Sequence, residues 1–134
     1  MILNVDLPSE VPIYQQLRDQ IVEAIADGVL TEGSPLPATR ALAADFGINF
    51  HTVNKAYDLL RQQGLIRLNR KTGAVVNPTV ADPSFHAQWT PRARTLLAEA
   101  LAKGLSADEV VATCRSVLDS FGTTQPEDTS QAQS

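Results

Sequence analysis

Cysteine and histidine are scarce in this sequence, and their scarcity excludes several kinds of site. The chain has one cysteine, Cys114, so it can form neither an internal disulfide nor a cysteine-based zinc finger. Its two histidines, His51 and His86, lie 35 positions apart and belong to no H-E-x-x-H motif. We therefore expect neither a bound metal nor a cofactor.

Long apolar runs are missing as well. Nearly apolar stretches such as residues 41–44 fall far short of the roughly 20 residues that a membrane span needs. The first residues, MILNVD, lack the charged start and the apolar core of a signal peptide. These features predict a cytoplasmic protein without a membrane partner.

The sequence also lacks the signatures of catalysis. It has no glycine-rich phosphate loop, and Ser106 has no histidine near it along the chain. The acidic pair Asp108 and Glu109 follows Ser106 in the pattern of a helix capping box, which accounts for Glu109 without catalysis. We therefore do not expect an enzyme.

Apolar residues are plentiful, and charge is unevenly distributed. The 134 residues are 43% apolar and 19% charged, enough for one domain or for a small domain with an appendage. The net charge of −4 taken alone argues against nucleic acid. However, residues 40–71 hold six basic and two acidic side chains, whereas residues 81–134 hold four basic and seven acidic ones. We expect these two parts to face different partners.

The first half of the chain has the pattern of three helices and a hairpin. Three segments carry apolar side chains every three or four positions, and each is closed by a glycine. They are residues 11–27, 38–46 and 49–63, closed by Gly28, Gly47 and Gly64. Two strands are expected at 65–69 and 74–77, around a polar tip. A helix-turn-helix followed at once by a hairpin is the plan of a winged helix.

The second half predicts two further helices. One begins at Thr90 and Pro91, with a longer helix from Ser84 kinked at Pro91 as the alternative, and the other begins at Ser106. Because two short amphipathic helices cannot bury two apolar faces alone, we expect them to pair across a twofold axis. Residues 122–134 have almost no apolar content and are expected to be a disordered tail.

The predicted fold is therefore mainly α with a small β-hairpin. It consists of a winged helix-turn-helix domain and a two-helix C-terminal dimerisation region. The expected boundaries are 1–77 for the winged helix, 78–121 for the linker and dimerisation region, and 122–134 for the tail.

In a winged helix the third helix enters the major groove of DNA. Here that helix carries polar side chains suited to DNA. Thr52 and Asn54 can hydrogen-bond phosphates or base edges, and Lys55 supplies charge. His51 lies on the same polar face. Further candidate contacts are Arg40, near the start of the second helix, and Arg70 and Lys71, at the hairpin tip. The same fold also serves in protein-interaction modules, which is the alternative function.

Several motifs in order resemble the DNA-binding domain of GntR-family bacterial transcription regulators, over roughly residues 11–77. The motifs are PIYQQL at 12–17, GVLTEGSPLP at 28–37, TRALA at 39–43, FGIN at 46–49, TVNKAY at 52–57 and GLI at 64–66. The resemblance implies DNA contacts from Arg40, from the start of the third helix, and from the wing around Gly73. In the third helix the implied contacts are Asn49, His51, Thr52 and Lys55.

Four positions depart from the family pattern. Ala38 stands where the family usually has serine, so the customary N-cap of the second helix is missing. Lys71 replaces the first glycine of the usual wing motif, and Phe50 and His51 occupy positions that are often proline and asparagine. The operator sequence therefore cannot be taken over from relatives.

The short C-terminal part resembles the YtrA subfamily. That resemblance implies a small homodimeric repressor, often controlling transporter genes, which dimerises through its last two helices and binds a palindromic operator in double-stranded DNA. No residue identifies an effector. A ligand pocket lined by Trp89, Arg92 and Arg94 is an alternative role for the second half, because two arginines beside an aromatic ring could hold an anion.

Overall fold

The computed structural model describes residues 3–80 and 82–122. These residues form two compact units, one ending at Thr79 and the other beginning at Val80. From residue 123 onward the predicted disordered tail lies outside the described residues. No helix in the described ranges is long and apolar enough to cross a membrane.

The first unit consists of three helices and a hairpin. The helices are α1 (Ile13–Ala26), α2 (Thr39–Phe46) and α3 (Phe50–Gln62), and the strands are β1 (Ile66–Asn69) and β2 (Gly73–Val76). The strands pair antiparallel, from Ile66 opposite Val76 to Asn69 opposite Gly73. This arrangement confirms the predicted winged helix-turn-helix.

The core of the first unit lies between the helices and the hairpin. Its fully buried side chains come from α1, α3 and the two strands. The largest are Leu17, Ile21, Val53, Leu60, Ile66 and Val76. Leu17 and Ile21 are one helical turn apart, which places both on the face of α1 that packs against α3. Burying each such side chain stabilises the fold by about 1.5–3 kcal/mol.

A three-residue turn sets the angle between α2 and α3. Gly47 ends α2 in the left-handed conformation, with φ of 65°, which costs a glycine little. The Ile48 amide donates to the Ala43 carbonyl at 3.0 Å. Asn49 then caps α3, because its side-chain oxygen accepts a 2.8 Å hydrogen bond from the His51 amide. The predicted N-cap is thus confirmed.

The segment before α2 pairs with the outer edge of β2, which the sequence pattern did not predict. Pro35 forms an antiparallel bridge with Val75. The Leu36 amide donates to the Ala74 carbonyl, and the Gly33 amide donates to the Val76 carbonyl, each at 2.8 Å. A segment with two prolines is typical of a turn, because proline has no N–H to donate to a strand ladder. This segment can pair because it lies at the edge of the sheet.

The second unit consists of α4 (Pro83–Ala102) and α5 (Ala107–Ser120), which pack against each other. The prediction that α4 begins at Thr90 is wrong. The helix begins at Pro83, close to the alternative start at Ser84. Asp82 caps this helix, since its carboxylate accepts hydrogen bonds from both the amide and the hydroxyl of Ser84. Pro91 lies inside the helix.

The capping box predicted at the start of α5 is present. The Ser106 hydroxyl accepts from the Glu109 amide at 3.1 Å, and the Glu109 carboxylate accepts from the Ser106 amide at 2.9 Å. The hydrogen bond from the Ser106 backbone, followed by the bond to its side chain, lowers the pKa of Glu109. Glu109 therefore has a structural role.

Candidate nucleic-acid interface

Helix α3 presents its predicted contact residues on the side opposite the core. Val53, Ala56, Tyr57 and Leu60 are buried and hold the helix in place. His51 and Lys55, one turn apart, are exposed, whereas Thr52 and Asn54 are half-buried at the edges of the exposed face. Asn49 is exposed, but its side-chain oxygen is used in the helix cap. The amide nitrogen of Asn49 is the part of that side chain available to a partner.

Arg40 and His51 meet at the ring of Phe50. The guanidinium carbon of Arg40 lies over this ring, 4.1 Å from its centre, within the range of a cation–π contact. The imidazole of His51 lies with its centre 4.1 Å from the same ring centre, at an interplanar angle of 32°. The Phe50 ring therefore contacts two candidate DNA-binding residues, Arg40 from α2 and His51 from α3.

Lys55 is held in a similar way by α1. Its ammonium nitrogen lies 4.2 Å from the ring centre of Tyr14. This contact orients the long lysine side chain and leaves its N–H donors available, because the ring face supplies no conventional hydrogen-bond acceptor. The Tyr14 ring is half-buried and also packs against the core of the first unit.

The hairpin tip carries the remaining candidates. The Asn69 side-chain oxygen accepts hydrogen bonds from the amides of Lys71 and Thr72, at 2.8 and 3.3 Å. Gly73 closes the turn with φ of 81°, and no described residue other than glycine has a positive φ. Lys71 in place of the usual glycine is therefore accommodated without strain. The side chains of Arg70 and Lys71 are exposed at this tip.

Seven cationic side chains lie in residues 3–79, and they divide into two sets. Three of them are bonded to protein groups: Arg18 to Asp19 and Gln63, Arg61 to Asp58, and Arg67 to Asn77 and the Val76 carbonyl. The other four side chains make no hydrogen bond or ion pair within the described part of the chain. These four are Arg40, Lys55, Arg70 and Lys71, which are the four cations that the sequence predicts as DNA contacts.

Three contributing residues were missed by sequence reasoning. Phe50 was noted only as a departure from the family pattern, and neither Tyr14 nor Asn69 was predicted to support a contact. An asparagine at the end of a strand, directly before a hairpin tip, is a known turn signal and could have identified Asn69. Nothing in the spacing of Phe50 or Tyr14 indicates the cation that each ring contacts.

The anion pocket suggested by Trp89, Arg92 and Arg94 stays a prediction. The His86 and Trp89 rings lie 6.5 Å apart, and the Arg92 guanidinium lies 6.0 Å from the Phe85 ring. These contacts join neither arginine to Trp89. Within residues 3–80 and 82–122, no group of three or more metal-ligating side chains is close enough to hold a metal ion.

The family model for bacterial regulatory proteins of the gntR family matches residues 13–76. The transcriptional repressor YtrA of Bacillus subtilis is 35% identical over 75 residues, which are 56% of this chain and 58% of that protein. For the first four curated relatives, the matched residues span between 14% and 62% of the relative's length.

Solved structures extend the likeness beyond the first unit. YtrA from Sulfolobus acidocaldarius, a GntR-family transcription factor, is 39% identical, with a TM-score of 0.57, covering 90% of this chain and all of that one. A transcriptional antiterminator from Listeria monocytogenes shares the fold, with a TM-score of 0.79 at 24% identity, covering 87% of this chain and 90% of that one. The AraR DNA-binding domain in complex with an operator matches 57% of this chain and 98% of that one, at 27% identity and a TM-score of 0.50.

The curated relatives compared above are named as transcriptional regulators and not as enzymes. Three observations point to the same family. They are the sequence motifs, the winged helix-turn-helix, and the match that covers the whole of a GntR-family transcription factor. The chain therefore belongs to the GntR family of bacterial regulatory proteins, as a YtrA-like member whose first unit is a winged helix-turn-helix DNA-binding domain.

Proposed function

We propose that this protein is a homodimeric repressor that binds a palindromic operator in double-stranded DNA. The observation that carries the proposal is the set of four unpaired cations, Arg40, Lys55, Arg70 and Lys71, around the exposed face of α3 and the wing tip. Unpaired exposed cations bind phosphates by releasing condensed counterions. The likeness to the AraR domain solved with operator DNA supports duplex DNA as the partner.

Within this proposal the contact residues have separate tasks. Helix α3 enters the major groove, where Thr52, Asn54 and the Asn49 amide contact base edges or phosphates. His51 and Lys55 extend the contact along the helix. Arg70 and Lys71, with Gly73 shaping the turn, bind the backbone beside the groove. Arg40 binds a phosphate or a guanine at the junction of α2 and α3.

Dimerisation is proposed to occur through the second unit. No residue of α4 or α5 is buried within one chain. Several large apolar side chains are instead exposed, among them Leu96, Leu97, Leu101, Val111, Val117 and Leu118. An exposed face of this kind is stabilised by covering it, and a second copy supplies an identical apolar face across a twofold axis. A twofold dimer sets two recognition helices about 34–36 Å apart, which fits a palindromic site.

Repression is proposed to follow from occupancy of the operator, which hinders transcription. The Bacillus relative is named a transcriptional repressor, and this supports the direction of regulation. Control of transporter genes, which the YtrA resemblance implies, stays a prediction, and no effector is assigned. The alternative function, a winged-helix module that binds another protein, would leave the four cations without a DNA partner.

Arg40→Ala and Arg61→Ala form a matched test of the proposal, because each removes one arginine charge from the same unit. Arg61 is paired with Asp58 at 2.9 Å, whereas Arg40 has no such partner in the described residues. We expect Arg40→Ala to weaken operator binding by roughly 1–3 kcal/mol. Arg61→Ala should change it by less than about 0.5 kcal/mol. Equal effects of the two variants, measured by fluorescence anisotropy, would contradict the proposed interface.

A further inference from the structure

We propose that Phe50 is a positioning residue for DNA recognition, which holds the guanidinium of Arg40 ready for its contact. This inference rests on the proposed function and assigns a residue that acts through Arg40. The guanidinium carbon lies 4.1 Å from the Phe50 ring centre, and within the described residues the Arg40 side chain makes no hydrogen bond or ion pair. The ring therefore sets the position of this exposed side chain.

The chemistry of the stack favours recognition. A guanidinium bound through its face keeps its five N–H donors at the edge, where they are free for a phosphate or for guanine. A long arginine side chain samples many rotamers in solution, and binding DNA would remove that freedom. A preformed stack removes part of it before binding, which strengthens association.

Phe50 is itself held firmly enough to act as a platform. It is the first residue of α3, follows the N-cap Asn49, and packs half-buried against the core of the first unit. His51 contacts the same ring with a centre-to-centre distance of 4.1 Å. One anchored ring thus organises a side chain from α2 and a side chain from α3 at the point where the two helices meet.

The test is a double-mutant cycle on the DNA fragment that the protein protects in a footprint of its own upstream DNA. Phe50→Leu keeps an apolar side chain but removes the ring, and Phe50→Tyr keeps the ring. We expect Phe50→Leu to weaken binding about three- to fivefold in the wild-type background. The same substitution should have a smaller effect, under about twofold, when combined with Arg40→Ala, because the ring then orients only His51. Phe50→Tyr should bind within about twofold of wild type.

A second readout is independent of DNA. In the free protein, the side-chain protons of Arg40 should show a ring-current shift by NMR that Phe50→Leu abolishes and Phe50→Tyr retains. Thermal unfolding of each variant measures any general loss of stability. The inference is overturned if Phe50→Leu has the same effect with and without Arg40, has no effect on binding, or leaves the Arg40 shift in place. It is also overturned if Phe50→Tyr binds as weakly as Phe50→Leu.

The two proposals fail in different ways. If wild-type protein shows no preference for the footprint fragment over unrelated DNA, the proposed function is wrong, and the DNA role of Phe50 fails with it. If wild type is specific and Arg40→Ala weakens binding, while the cycle is additive, the role of Phe50 alone is wrong.

Discussion

The hydroxyl of Tyr57 donates a 2.7 Å hydrogen bond to the carbonyl oxygen of Pro37. Tyr57 lies on the buried face of α3, and Pro37 lies just before α2. The bond therefore ties α3 to the chain that leads into α2. Burial raises the pKa of Tyr57 to about 12.

The raised pKa of Tyr57 predicts a loss of stability at high pH. Because the folded state binds the phenol proton more tightly, the contribution is complete below pH 10 and is lost as pH rises from about 10 to 12. At pH 11 the wild type should have lost about 1.4 kcal/mol from this group.

Tyr57→Phe isolates that contribution. At pH 8 we expect the variant to be about 1 kcal/mol less stable than wild type, since it lacks the hydrogen bond. At pH 11 this deficit should disappear or reverse, because phenylalanine does not titrate. Denaturant unfolding of both proteins at the two pH values checks the prediction, and a constant difference between them would refute it.

The missing cap of α2 predicts a stabilising substitution. Ala38 occupies the N-cap position with φ −59° and ψ 144°, and neither it nor Thr39 supplies a side-chain cap. Ala38→Ser should add a hydrogen bond to a free amide of the first turn and raise the free energy of unfolding by roughly 1 kcal/mol.

Ala44→Ser is the control for this substitution. Ala44 is exposed in the interior of α2, where serine has a lower helix propensity than alanine and should destabilise the protein by a few tenths of a kcal/mol. Denaturant unfolding compares the two variants. Equal changes in stability for both would show that Ala38 is not a capping position.

The apolar face of α5 predicts how the proposed dimer can be broken. Leu118 is 68% exposed within one chain and lies in a shallow groove with Leu97 and Cys114. Leu118→Asp should convert a homodimer to monomers in sedimentation velocity, because it would bury an unpaired charge at the interface.

Ser116 provides the matched position for the dimer test. It is exposed on the same helix but faces away from Leu118, so Ser116→Asp should leave the dimer intact. The folding of each variant is checked by circular dichroism. A Leu118→Asp protein that still sediments as a dimer would place the interface elsewhere.

Apolar spacing was enough to predict the helices of the first unit. The positions of Leu17, Ile21, Val53 and Leu60 define the buried faces of α1 and α3, and the structure buries all four. Ser106 and Glu109 likewise predicted the capping box, since both partners lie within one turn. Such features depend on residues close in sequence, which is why a pattern reveals them.

One local feature was ambiguous, because Pro91 suits both the start and the interior of a helix, and the Asp82 cap beside Ser84 decides where α4 starts. Other features depend on contacts between distant residues. The bridge between Pro35 and Val75 needs the hairpin already in place. The cationic side chains were predicted as DNA contacts from residue type and family likeness. The aromatic rings that orient Arg40 and Lys55 could not be predicted, because these contacts depend on how the helices pack.

The most direct test of the account measures how purified wild-type protein binds its own upstream DNA at two salt concentrations, with unrelated DNA as competitor. We predict tight binding that survives the competitor and weakens steeply with salt, with a log–log slope near −0.9 for each phosphate neutralised. A footprint should show two half-sites about one helical turn, or a multiple of it, apart. Binding without preference over the competitor at both salt concentrations would contradict the proposed repressor.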